Sequence, residues 1–223
     1  MFPQSYIIAA MPGWELALVI TIIFVLIIIR AFFEAFRGGN SSRSLNQADI
    51  LLWIAQGFGV GRIPVAPGTF GSVLGVLWFA ILLTTRNLWL VLAGTIAVIA
   101  LAVWLCGVAE QILKQTDPGS VVLDEIAAMP VCYFAWLEIL FLKRGSFPAL
   151  EDFFGPNTWP LTIGVFAAFR FFDVAKPWPV RQSQSLPGGW GVTIDDLLAA
   201  LYVNLIACAI YFGKLLLPRI TNS

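Results

Sequence analysis

No histidine occurs anywhere in this 223-residue chain. That absence excludes a histidine nucleophile, a Ser-His-Asp triad, a Cys-His pair and ordinary zinc ligation by imidazole. Charge is scarce too: 12% of the residues are charged, against about 25% in soluble domains. Thirteen basic and thirteen acidic residues cancel to a net charge of zero. Charge balance therefore gives no argument for a nucleic-acid partner or a polybasic lipid anchor, and no protein partner is predictable from it. Cysteine is limited to Cys106, Cys132 and Cys208, each inside an apolar run. An odd number without clustered spacing reads as small buried hydrophobes rather than a disulfide framework, metal site or redox pair. Internal repeats are absent, which weakens an inverted-repeat transporter.

What the chain has in excess is apolar surface. With 59% hydrophobic residues and a mean hydropathy of +0.87, the expected class is an all-α, polytopic helical membrane protein. Six apolar segments mark the expected helices: Leu16 to Phe33, Phe70 to Thr84, Leu88 to Ala109, Val121 to Leu142, Trp159 to Phe172 and Ile194 to Leu217. A full crossing takes about 20 apolar residues, so the segments at Phe70 and Trp159 are short enough to be buried half-spans. A weaker run, Ile50 to Val60, is broken by Gly57 and Gly59 and predicts a re-entrant or interfacial helix. Residues 1–45 read as an N-terminal anchor with a polar tail, and 46–223 as one helical membrane domain. Glu15 and Arg30 bracket the first segment, and no basic region precedes it, which fits a signal anchor better than a cleaved signal peptide.

Alternating these segments across a bilayer sorts the connections onto two faces. One face collects Arg30, Arg37, Arg43, Arg62, Lys114, Arg170, Lys176 and Arg181; the other holds Arg86, Lys143, Arg144, Lys214 and Arg219. The excess of basic residues on the first face predicts that it lies in the cytoplasm. Every Gly/Pro-rich polar motif falls on that same face.

Four motifs carry the chemistry. GFGVGRIPVAPGTFGS, residues 57–72, contains Arg62 and Thr69. Its glycines let backbone N–H groups approach an anion, and Thr69 or Ser72 is a candidate cap for the next helix; a bent membrane connector is the bland alternative. DPGSVVLDE, residues 117–125, reads as a helix start with Asp117 as N-cap and Pro118 at the first helical position. Asp124 and Glu125 then lie one to two turns inside an otherwise apolar helix, where an ionisable residue points to function. FRFFDVAKPWPVRQ, residues 169–182, supplies Arg170, Asp173, Lys176 and Arg181. Arg170 with Asp173 is also an ordinary i,i+3 pair, yet beside so many carboxylates the set resembles an anion clamp. GGWGVTIDD, residues 188–196, ends in Asp195 and Asp196, and Thr193 with Asp196 fits a capping box. Neighbours on a helix point about 100° apart, so one of these two faces a metal and the other a cap or a basic residue.

Oxygen ligands without His or Cys select Mg²⁺, Mn²⁺ or Ca²⁺, and Arg and Lys balance the remaining charge of a phosphate. The residues by themselves therefore reach a phosphoryl-transfer site at a membrane face.

In that order the four motifs resemble the phosphatidylglycerophosphatase A family, over about residues 46–212. The resemblance implies a helical phosphatase of the bacterial cytoplasmic (inner) membrane, multi-pass, with its active site facing the cytoplasm. It would use Mg²⁺ to remove the terminal phosphate of phosphatidylglycerophosphate and leave phosphatidylglycerol. Carried over by motif, the acids of the metal site are Asp117, Asp124, Glu125, Asp173, Asp195 and Asp196. The phosphate-binding set is Arg170, Lys176 and Arg181, to which the glycine-rich motif adds Arg62 and Thr69. Asp124, Glu125, Asp195 and Asp117 are the expected catalytic acids, Asp124, Glu125 and Asp195 foremost. Some members carry His where this chain has Pro118 and Pro187, but every acid of the pattern is present. Water attack at phosphorus and an aspartyl-phosphate route both fit the sequence. A transporter or channel for a phosphate-bearing or cationic substrate is the main non-enzyme alternative, although its charges should line a path rather than gather on one face. A CDP-alcohol phosphotransferase shares the metal logic but lacks its DGxxAR-type pattern here.

Overall fold

The computed structural model describes residues 46–220, with side chains as far as Lys214. The expected first segment, Leu16 to Phe33, lies outside the described residues. Nine helices follow among those described: α1 (Gln47–Ala55), α2 (Pro67–Thr84), α3 (Leu88–Leu113), α4 (Leu123–Cys132), α5 (Phe134–Arg144), α6 (Glu151–Phe154), α7 (Trp159–Ala175), α8 (Val180–Ser183) and α9 (Gly189–Ile220). The described residues contain no strand, as expected where a bilayer obliges the backbone to satisfy itself. Among the described residues four stretches are long and apolar enough to cross a membrane: 67–84, 88–113, 123–144 and 189–214. The protein is thus an integral membrane protein. Helix α7 has 17 residues, and α1 is a nine-residue helix that stops before a 3₁₀ turn at Val60–Arg62.

Small residues set how closely the helices approach. A Cβ on Gly71 would come 2.7 Å from the Val122 Cβ, and one on Gly75 would come 2.6 Å from the Met129 Cβ. Only glycine lets α2 lie this tightly along α4, the kind of approach that holds helices together in lipid. Beneath that crossing Phe79 stacks on Tyr133 at 4.5 Å, with Phe153 edge-on to Phe79 at 5.2 Å.

The long predicted segment at Val121 is two helices in one line, with a break at Tyr133. Pro130 removes one backbone donor inside α4. Asn204 of α9 fills the next gap in the ladder: its Oδ1 accepts from the Ala135 N–H at 2.7 Å and its Nδ2 donates to the Val131 carbonyl at 2.8 Å. Those two groups would bond each other in an uninterrupted helix. One amide side chain therefore both repairs α4–α5 and ties it to α9.

Candidate active site

Four helix ends meet at one end of the bundle: the starts of α2, α4 and α9 and the finish of α7. Four local readings of these ends are corrected. Helix α4 starts at Leu123 with Val122 at its N-cap, so Asp117 is no cap; it sits in the preceding turn with φ 48°. Asp124 and Glu125 occupy the first turn, not a deeper one, where the helix dipole favours negative charge. Helix α9 starts at Gly189, so Thr193 and Asp196 lie inside it and form no capping box. Helix α2 likewise starts at Pro67 after Ala66, which places Thr69 and Ser72 within the helix rather than at its cap.

Asp124, Glu125 and Asp196 each aim one carboxylate oxygen at a common point, with the three atoms within 4.8 Å of one another. Asp124 Oδ1, Glu125 Oε2 and Asp196 Oδ2 are buried and receive no hydrogen bond. Three clustered acids that each keep a buried oxygen without a donor are an unfavourable arrangement for protein alone, since buried polar atoms demand partners. Carboxylate oxygens are the hard ligands that Mg²⁺, Mn²⁺ and Ca²⁺ take, so the residues present fit a divalent ion of that kind. Asp173, on α7, lies beside Asp196.

Basic groups border the acids on one side. Arg170 Nη1 pairs with Asp173 at 2.6 Å and reaches Glu125 Oε1 at 3.8 Å. The same nitrogen makes a long 3.5 Å bond to Ser72 Oγ on α2. Gly68 makes room for this meeting: a Cβ there would overlap Glu125 Oε1 and stand 3.1 Å from Arg170 Nη1. The first turn of α2, with Thr69 half-buried in it, therefore abuts the Arg170–Glu125 pair.

Lys176 follows α7 in a left-handed conformation, φ 44°, where glycine is the usual residue. The turn returns its ammonium to Asp195 at 2.6 Å and to Asp117 at 3.7 Å. Burial pulls the Lys176 pKa down, but the hydrogen bond and charge of Asp195, with Asp117 and Asp173 behind it, outweigh burial and hold it above the usual lysine value. Gln184 completes this second knot by donating to both Asp117 and Asp195 at 3.0 Å. Asp195 also accepts from the Asp196 backbone N–H. Of the two neighbouring aspartates, the one in the three-carboxylate cluster is Asp196, and the one facing a basic residue is Asp195.

Two expected anion ligands stand apart from both knots. Arg62 donates to Gln56, which donates on to Ser120 in the turn before α4. Arg181 is exposed and makes no ion pair among the described residues. Gln184 was missed by sequence reasoning because a neutral amide in a loop carries no pattern of its own. Gly68 was visible only as one of several motif glycines. Cys106 on α3, read as a buried hydrophobe, is buried as expected and lies within electrostatic range of Asp124, Glu125 and Asp196.

The chain is similar to known proteins over most of its length. The family described as phosphatidylglycerophosphatase A matches residues 53–211. A phosphatidylglycerophosphatase A of Haemophilus influenzae is 34% identical over 177 residues, covering 79% of this chain and 98% of that protein. The Escherichia coli K12 protein of the same name is 30% identical over 152 residues, 66% of this chain and 76% of its own. A putative phosphatidylinositol-3-phosphatase of Bacteroides thetaiotaomicron is 33% identical over 153 residues, 67% of this chain and 86% of its own. No solved structure matches.

Proposed function

This chain belongs to the phosphatidylglycerophosphatase A family, and from that premise we propose that the convergence of Asp124, Glu125 and Asp196 is its phosphatase centre. The protein is a phosphoric monoester hydrolase of phospholipid biosynthesis acting on phosphatidylglycerophosphate. The observation that carries the site is the set of three buried carboxylate oxygens left without donors.

Asp124, Glu125 and Asp196 would hold Mg²⁺, with Asp173 beside them. Bound there, the ion supplies charge neutralisation for the phosphate and acidifies water. The chain's own groups do the rest. Arg170 and Lys176 donate to the phosphate oxygens as negative charge shifts during the reaction. A carboxylate of the cluster takes the proton of the attacking water, whose oxygen bonds to phosphorus in line with the departing glycerol oxygen. The P–O bond to glycerol breaks, and the proton returns to that oxygen. Asp117, Asp195 and Gln184 hold the Lys176 ammonium in place, a positioning task rather than ion binding.

Helix α1 lies at the interface and α7 makes a shorter fifth crossing. The acid-bearing end faces the cytoplasm of a bacterial inner membrane, supported by the basic residues that collect on its loops.

Purified protein is expected to release phosphate from phosphatidylglycerophosphate faster than from phosphatidylinositol 3-phosphate, and to stop when EDTA is present. Turnover that survives chelation would reject the ion-binding role of the cluster. Turnover confined to the inositol lipid would reject the substrate.

A further inference from the structure

A groove of about 500 Å³ opens between α5, α7 and α9 toward the other end of the bundle. Its walls are apolar, with Trp136, Ile139, Leu161, Val165, Ile206 and Ile210 among them. The volume is in the range of roughly 300–1,000 Å³ usual for small-ligand sites. Lys143, at the end of α5, and Lys214, late in α9, also line it. Neither forms an ion pair among the described residues; Arg144 next door is paired with Asp152 instead. The Lys143 ammonium lies 4.6 Å from the ring centroid of Tyr211, another lining residue, which keeps that charge at the groove.

Position along the helix separates this groove from the acids. Asp196 and Lys214 stand on the same helix, α9, and at 1.5 Å per residue they are about 27 Å apart. That is close to the roughly 30 Å of a hydrocarbon core. The two lysines therefore meet the headgroups of the leaflet opposite the three carboxylates.

We propose that this groove binds an anionic phospholipid of that opposite leaflet, with an acyl chain along the apolar walls and its phosphate between Lys143 and Lys214. The apolar lining alone accepts any lipid; the two unpaired ammonium groups select an anionic one. Each lysine near an anionic headgroup contributes about fivefold in affinity, so the pair contributes about 30-fold. The site is independent of the phosphatase centre.

The test uses the full-length protein in neutral detergent, titrated with phosphatidylserine carrying brominated acyl chains. Tryptophan fluorescence is the readout, and the share of Trp136 is the difference between the wild type and Trp136→Phe. Saturable quenching of Trp136 is expected, with Lys143→Gln/Lys214→Gln binding about 30-fold more weakly. Brominated phosphatidylcholine should bind the wild type as weakly as phosphatidylserine binds the double variant. A Cβ on Gly164, a lining residue, meets nothing within 4 Å, so Gly164→Leu adds its side chain at the groove and should abolish the Trp136 share. Equal quenching by the two lipids overturns headgroup selection. Absence of Trp136 quenching by either lipid overturns the site altogether and points to another occupant, such as residues 16–33 or a second copy of the chain.

Discussion

Lys176 and Asp195 form a 2.6 Å ion pair in which the aspartate side chain is only 4% exposed. The pair occupies Asp195 and leaves its neighbour Asp196 to join Asp124 and Glu125. Removing one member of a buried pair strands the other's charge, at a cost of about 3–5 kcal/mol. Lys176→Met is therefore expected to lower thermal stability and to raise KM together. Lys176→Met/Asp195→Asn should recover most of the stability while the elevated KM persists, because the phosphate still lacks its cation. Unfolding midpoints in detergent alongside steady-state kinetics read both effects. Additive losses of stability in the double variant would contradict the pairing.

Asp196→Asn and Asp195→Asn should separate by metal dependence. Loss of a carboxylate from the three-oxygen cluster is expected to raise the Mg²⁺ concentration for half-maximal activity by more than about 100-fold, above the roughly 10–100-fold that loss of an outer partner costs, whereas Asp195, which faces Lys176, should change it less. Titration of phosphate release with Mg²⁺ measures the difference, and an equal shift in both variants would remove the distinction drawn between them.

Gly68→Ala adds one methyl where Glu125 Oε1 and Arg170 Nη1 converge on the start of α2. Glu125 can swing aside because only the end of a flexible side chain is struck, so the melting temperature should change little. Activity should fall by about 10² or more, in line with the sensitivity of catalysis to displacements near 1 Å. A normal rate in a correctly folded Gly68→Ala protein would show that Glu125 need not occupy that space.

Asn204→Leu leaves the Ala135 N–H and the Val131 carbonyl without their side-chain partner. Each unsatisfied buried group costs about 1–3 kcal/mol, so the variant should be destabilised by a few kcal/mol. Asn204→Asp restores the acceptor alone and should fall between. Thermal unfolding of the purified proteins decides the order.

At the far end, Arg144 donates to Asp152 at 2.6 Å and the Ala149 N–H donates to the same carboxylate. The hydrogen bond from Arg144 comes first in holding the Asp152 pKa below the usual aspartate value, against the opposing effect of burial. A depressed folded-state value stabilises the protein above the unfolded aspartate pKa, and the benefit disappears as pH falls through the folded value. Arg144→Ala should lose at most about 1 kcal/mol near neutrality, since half-exposed pairs contribute little. The difference from wild type should vanish in acid, and a constant difference across the pH series would contradict it.

Much of the site was legible because chemistry this costly leaves few excuses: Asp124 and Glu125 interrupt an apolar run, and no packing role explains them. Helix starts were harder. Pro118 and Thr193 have the composition of start signals, yet the chain begins α4 later and α9 earlier than they indicate. Tertiary packing overrides local capping preferences worth about 1 kcal/mol. With α9 starting at Gly189, both its aspartates lie inside the helix rather than at its start.

By itself the sequence determined a helical membrane protein, four ordered motifs, the family and the stock of acids and bases available for chemistry. Its hydrophobicity and residue types are properties of the chain that survive any arrangement. Only the tertiary structure decided which carboxylates converge, because Asp124 and Glu125 stand on α4 and Asp196 on α9, two helices far apart in sequence that Asn204 ties together. It also decided that Lys176 neutralises Asp195. Coulombic partnership depends on distances of a few ångströms, and those are set by packing between segments far apart in sequence.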